Sequence, residues 1–177
     1  MTPELPYKYR NDDWFKLTQW APMCHQEEMY WAIVKAATDP NSNCPKRFIP
    51  VMHRRAGKDS MSLNALARAA MIRPGLYYYC APEQAQCRKI VFDNIDRYGR
   101  RVIDQAIPPS VRSNTNNAEM KITIDGPNGT SIFQVVGSDN YNSIVGTNPV
   151  GIVFSEFALS AKPECWDFFR PILAENN

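Results

Sequence analysis

Residues 53 to 59 read "HRRAGKD". They stand between a short apolar run, "RFIPVMH", and "DSMSLNALARAAMIR", the most helix-like stretch of the chain. This arrangement constrains the fold more than any other feature, because a strand, a basic Gly-Lys turn and a helix make a unit that can hold phosphate. Gly57 permits backbone geometry that larger residues resist, so amide groups can turn toward phosphate oxygens. The start of the following helix adds the positive end of its dipole. Lys58 supplies a point charge for β- and γ-phosphates, and Arg54 and Arg55 add guanidinium groups suited to phosphate. Two positions depart from the general pattern G-x-x-x-x-G-K-[ST]. Met52 stands where the first glycine belongs, and Asp59 where Ser or Thr belongs. Taken alone, the loop is read equally well as a basic turn capped by Asp59, a favoured N-cap residue.

The remaining segments decide what kind of sheet surrounds this loop. Residues 1–22 mix Pro, aromatic and charged residues without period, with a helical turn expected around "DDWFKLTQW". The spacing of Met29, Ile33 and Ala37 predicts a helix over 23–37, and "TDPNSNCPK" is a loop. "RFIPVMH" reads as a buried strand, with Pro50 implying an edge or a bulge. After the helix over 59–73, "LYYYCA" is a strand, and "PEQAQCRKIVFDNIDRYGRR" predicts a second helix between Pro82 and Gly99. "EMKITID", "GPNG" and "TSIFQVVG" alternate and turn as a β-hairpin. "VGIVFSE" is a near-continuous apolar strand ending in an acid, and "KPECWDFFRPILAEN" is a final short helix. This order predicts an α/β fold with a mostly parallel central sheet flanked by helices, plus a β-hairpin. Ligands in such sheets bind beyond the carboxyl ends of strands, where both "HRRAGKD" and "SEF" fall.

The second cluster bears on the first. In phosphate-loop ATPases a hydrophobic strand beside the loop ends in acids, one helping to hold Mg²⁺ and a Glu polarising the attacking water. "GIVFSE" has that form, with Ser155 and Glu156 at its tip. A buried strand whose exposed end carries one solvated Glu is the alternative reading.

In combination, "HRRAGKD", "GLYYYCAPEQAQCRKIVFD", "VVGSDNYNSIVGTNPVGIVFSEFAL" and "WDFFRPILAEN" resemble the ATPase domain of tailed-phage large terminase subunits, the motors that package DNA into procapsids. The resemblance covers roughly residues 45 to 177 and divides the chain into an N-terminal arm and helix, 1–44, and a P-loop NTPase core, 45–177. The terminase loop is shorter and richer in Arg than the general pattern. Against it, His53 takes the place of the leading glycine, Arg54 matches the loop arginine, and Gly57-Lys58 match directly. The resemblance implies that Lys58 and the backbone of 54–59 (Arg54, Arg55, Ala56, Gly57, Lys58, Asp59) cradle the triphosphate of ATP. It implies that Arg54 meets the γ-phosphate region and that Glu156 is the catalytic carboxylate. Ser155 replaces the Asp that neighbours that Glu in the family. A hydroxyl holds Mg²⁺ less strongly than a carboxylate, so Asp59 is expected to restore the lost charge from the loop side, with Ser60 a further candidate ligand. Gln26, in "CHQEEMYWAI", resembles the family's upstream glutamine that reads the adenine edge; a solvent-facing Gln is the alternative.

Two departures matter. The family's arginine finger position, just before Gly146, is held by Val145, leaving Arg100 or Arg101 as substitutes or implying slow hydrolysis by the isolated chain. The coupling motif and RNase H-like nuclease that follow in terminases are not in these residues, so the chain is expected to be a fragment, a truncated product or part of a split protein. The resemblance further implies double-stranded DNA, a homo-oligomeric ring, a small terminase subunit and a portal protein as partners, in the cytoplasm of a bacterial host.

Composition narrows the alternatives. A net charge of +2 over 177 residues gives no bulk attraction to nucleic acid, so DNA contact requires a local patch. Arg97, Arg100 and Arg101 form the candidate, with Arg97 and Arg101 at helical spacing; a solvated helix face diluted by Asp93 and Asp96 is the competing reading. The longest apolar runs are far short of a membrane span, and "MTPELPYKYRNDDW" lacks an apolar signal region. Five cysteines without C-x-x-C spacing, and only two histidines, read as reduced thiols rather than a zinc site. A helicase-like ATPase and a catalytically inert assembly module remain the alternatives to a packaging ATPase.

Overall fold

The structure, a computed structural model, describes residues 5–176 apart from Pro40 and Ser42. The start of the N-terminal arm and those two positions of the loop after residue 38 therefore lie outside the described residues. The helices are α1 (Asp13–Thr18), α2 (Glu27–Thr38), α3 (Lys58–Ile72), α4 (Gln84–Cys87), α5 (Val102–Ala106) and α6 (Cys165–Glu175). The strands are β1 (Leu76–Ala81), β2 (Arg112–Asn116), β3 (Lys121–Gly126), β4 (Gly129–Gly137) and β5 (Pro149–Phe154). They form one sheet in the order β2-β3-β4-β1-β5. β1 pairs in parallel with β4 and β5, whereas β3 runs antiparallel to β2 and β4. Four of the five strands thus point the same way, and only β3 opposes them.

β1 is buried along nearly its whole length because helices cover both faces. Tyr77, Tyr79 and Ala81 join Phe133 and Val135 of β4, Ile122 and Ile124 of β3, and the buried side of α3 in the larger core. Tyr78 and Cys80 face the other way and pack with Val136 and Phe169 of α6. Ala65, Ala67, Ala69 and Ala70 give α3 a small-residue surface that lets it lie close to the sheet. The β3–β4 hairpin turns over Pro127 and Asn128, and the Asn128 amide donates to the Ile72 carbonyl at 2.8 Å, capping the end of α3. The aromatic arm belongs to the same core: Tyr9, Trp14 and Phe15 are buried with Tyr30 of α2. Asp12 caps α1 by accepting from the amides of Trp14 and Phe15, and it also takes both guanidinium nitrogens of Arg68 on α3.

Three local expectations need correction. Residues 47–53 form no strand. Pro50 has no N–H for a ladder, and Ile49 and Val51 are 85 % and 91 % exposed, so no sheet face receives them. The long helix expected between Pro82 and Gly99 stops at Phe92, after α4 and one π-turn. Farther on, the Asp96 carboxylate accepts from the amides of Tyr98 and Arg100, building a turn in place of helix, and Gly99 takes φ +81°. Arg97 and Arg101 therefore do not share a helix face. Asp59 is not the cap of α3. Gly57 is, and Asp59 lies within the first turn.

All five cysteines are free, with Cys80, Cys87 and Cys165 buried. Burial pushes the Cys87 thiol up to about 11. Among the described residues no helix is long and apolar enough to cross a membrane.

Candidate nucleotide site

The loop and the tip of β5 meet at the carboxyl end of the parallel strands. Ser155 extends the β5 pairing by donating its amide to the Cys80 carbonyl at 2.8 Å. The chain then turns at Glu156, which takes a left-handed conformation with φ +51°. For a residue with a side chain this costs about 1–3 kcal/mol, and such geometry persists where the surroundings hold it. The Glu156 side chain meets the loop: the Lys58 ammonium donates to its Oε1 at 2.5 Å across 98 positions of sequence. Lys58 Nζ also lies 3.8 Å from Asp59 Oδ2. The hydrogen bond to Glu156, then the charge of Asp59, raise the Lys58 pKa above its ordinary value, so the ammonium is firmly protonated.

Asp59 joins the same group. Its Oδ1 accepts from the Ser155 hydroxyl at 2.5 Å and from the Tyr79 phenol at 3.3 Å. Burial holds that phenol protonated far above its usual range, which keeps it a donor. The loop thus presents a carboxylate and the strand tip a hydroxyl, the reverse of the arrangement in which a loop Ser or Thr and a strand Asp share Mg²⁺. The donors are all oxygen, with two carboxylates, which matches the preference of Mg²⁺ for oxygen ligands and one or two carboxylates beside phosphate. Asp59, Ser155 and Glu156 therefore fit that ion.

The other loop residues divide by exposure. His53, Arg54 and Arg55 are exposed, and among the described residues the two guanidinium groups form no ion pair. His53 Nδ1 sits 2.5 Å from the Arg54 carbonyl. Arg55 and Gly57 have φ +67° and +76°, the left-handed turns that shape the loop. Ala56 is buried, and Ser60 is half-buried in the first turn of α3. Gln26 is 1 % exposed, so it is not solvent-facing. Its amide lies against the loop, donating to the carbonyls of Ala56 and Gly57 at 2.8 and 3.2 Å.

The structure brings Lys58, Asp59, Ser155 and Glu156 together and sets Gln26 behind the loop. Arg97, Arg100 and Arg101 belong elsewhere. Arg100 bonds to Asp96 and the Thr18 carbonyl, Arg101 to the Phe92 carbonyl, and Arg97 lies over the Tyr98 ring. Val145 is exposed at the end of the 138–144 turn. Sequence reasoning missed Tyr79 and His25. The phenol in a buried strand was a signal, because a buried Tyr needs a partner for its hydroxyl. His25 had only its position beside Gln26.

No protein-family model matches the chain, and none of the curated proteins matches it. Two solved structures do. The large terminase ATPase domain of Thermus phage P74-26 aligns with a TM-score of 0.67 over 93 % of this chain and 65 % of that one, at 17 % identity. An arginine-to-alanine variant of the same domain aligns with a TM-score of 0.68 over 94 % and 66 %, also at 17 % identity. The chain spans about two thirds of the length of these neighbours. At that identity the likeness is one of fold: the chain shares with those domains an α/β architecture, a mostly parallel five-stranded sheet flanked by helices.

Proposed function

We propose that the chain is the ATPase module of a viral DNA-packaging motor, binding Mg-ATP at the 53–60 loop and hydrolysing it to move double-stranded DNA into a procapsid. The observation that carries this reading is the meeting of Lys58, Asp59, Ser155 and Glu156 at the mouth of a sheet shared with terminase ATPase domains. Without nucleotide, Lys58 and Glu156 neutralise each other. A triphosphate gives Lys58 a stronger partner and leaves the Glu156 carboxylate to orient a water and accept its proton. Arg54 and Arg55, with no ion pair to break among the described residues, close on the phosphate oxygens. The first-turn amides of α3 face the anion with the helix dipole behind them. Asp59, Ser155 and Glu156 would hold Mg²⁺, which supplies charge neutralisation across the β- and γ-phosphates.

In this reading the working unit is a homo-oligomeric ring fed by a small terminase subunit and seated on a portal protein in the bacterial cytoplasm. A catalytically silent assembly module is the second reading, favoured by Val145 at the position where a finger arginine is expected. ATP turnover by wild type and Glu156→Gln, with and without double-stranded DNA, separates the two. The motor reading expects a loss of roughly 10²–10⁴-fold in Glu156→Gln, and equal background rates in both proteins would reject it.

A further inference from the structure

Gln26 is engaged in a way that bears on which part of a nucleotide it serves. Its side-chain oxygen accepts the Met23 amide at 3.0 Å. Its two N–H groups go to the carbonyls of Ala56 and Gly57. His25 Nε2 reaches the same Ala56 carbonyl at 3.1 Å, as the protonated nitrogen of that tautomer. Reading an adenine edge requires an amide N–H to donate to a ring nitrogen, and neither N–H is available while these bonds stand. Gly57 is part of the same fit: a Cβ there would lie 2.7 Å from Gln26 Nε2. Only a glycine lets the amide approach, besides being the residue that adopts φ +76° without penalty.

The consequence follows from peptide geometry. In a trans peptide the C=O and the next N–H point in opposite directions. The Ala56 carbonyl, held toward Gln26 and His25, therefore turns the Gly57 amide to the opposite side of the loop, and the Gly57 carbonyl, shared between Gln26 and the Met61 amide at 3.0 Å, turns the Lys58 amide the same way at the start of α3. Those amides open α3, where no intrahelical acceptor exists for them, and that is the side a phosphate would occupy.

We propose that Gln26, assisted by His25, is a positioning residue for the phosphate loop: it fixes the Ala56–Gly57 peptide plane and braces the Gly57–Lys58 plane that α3 begins, so that both amides face the polyphosphate, and it acts without regard to the base. The inference rests on the nucleotide-binding reading above. Isothermal titration of tripolyphosphate, ATP and GTP, each with Mg²⁺, into wild type, Gln26→Glu and His25→Ala tests it. Gln26→Glu sets a carboxylate against two carbonyl oxygens and should weaken all three ligands by about tenfold and to the same degree. His25→Ala, a change at an exposed side chain that leaves the core untouched, should weaken all three by about threefold. The ratio of ATP to GTP affinity should stay at its wild-type value in both. Tripolyphosphate affinity unchanged in both variants would overturn the proposal. So would a loss confined to ATP, which would assign Gln26 to the base. A wild type that binds none of the three would instead remove the nucleotide reading itself, and the inference with it. Melting curves of each variant with and without tripolyphosphate supply a second readout: the ligand-induced rise should shrink in His25→Ala even if Gln26→Glu is poorly folded.

Discussion

Two short segments carry clustered arginine, 53–58 and 97–101, and the structure treats them differently. In the first, Arg54 and Arg55 are exposed, and among the described residues they form no ion pair, while the loop cation Lys58 pairs only with Glu156 and Asp59 beside it. In the second, the Arg101 guanidinium donates twice to the Phe92 carbonyl and lies 3.8 Å from Asp104, while Arg100 closes the 96–100 turn on Asp96. Three cations in each segment therefore stand in different surroundings. One segment leaves its guanidinium donors exposed, and the other engages them with the carbonyls and carboxylate around an irregular turn. Cation count alone could not distinguish these, because the distinction lies in which acceptors stand within reach.

That contrast can be broken by substitution. The largest effect is expected in the loop: Lys58→Ala should lower Mg-ATP affinity by roughly 100-fold, as a charge-assisted bond to phosphate is lost, with melting temperature little changed. Titration with a fluorescent nucleotide checks this. Next comes the Asp59–Ser155 exchange. Asp59→Ser alone should weaken Mg²⁺-dependent nucleotide binding by about tenfold, and adding Ser155→Asp should restore most of it by returning carboxylate and hydroxyl to the commoner arrangement. Asp59→Ser with unaltered Mg²⁺ dependence would show that this carboxylate has no part in the ion's site.

In the other segment the expected pattern inverts. Arg101→Ala should cost about 1–2 kcal/mol of stability by stranding the Phe92 carbonyl, with nucleotide affinity at the wild-type value; urea unfolding and the same titration measure both. A fall in affinity without a fall in stability would erase the contrast. The smallest effect belongs to Arg97, whose guanidinium rests over the Tyr98 ring. If DNA passes this face, Arg97→Glu should flatten the salt dependence of DNA binding by about one unit of slope and change stability by less than about 0.5 kcal/mol. An unaltered slope would place DNA elsewhere.

The meeting of Lys58 and Glu156 was partly legible in the sequence. Gly57-Lys58 ahead of a helix and Glu156 after an apolar strand are local patterns, and the fold places both at one sheet edge. The placement of Gln26 was not legible, because its partners lie 30 and 31 positions away and are backbone carbonyls, which leave no mark on side-chain identity. The turn at 96–100 escaped notice for a related reason: an aspartate that caps a turn and one that sits on a helix surface look alike until backbone direction is known.

By itself the sequence determined β1, the β3–β4 hairpin, α3 and α6, since each depends on periodicity, turn residues and breakers within its own length. Tertiary structure alone decided that 47–53 would remain outside the sheet, that the helix after β1 would stop at Phe92, and that a loop carboxylate would meet a strand hydroxyl 96 residues later. The reason is physical: periodicity reports which side of an element is apolar, whereas pairing, register and the choice of a hydrogen-bond partner depend on what the rest of the chain brings to that side.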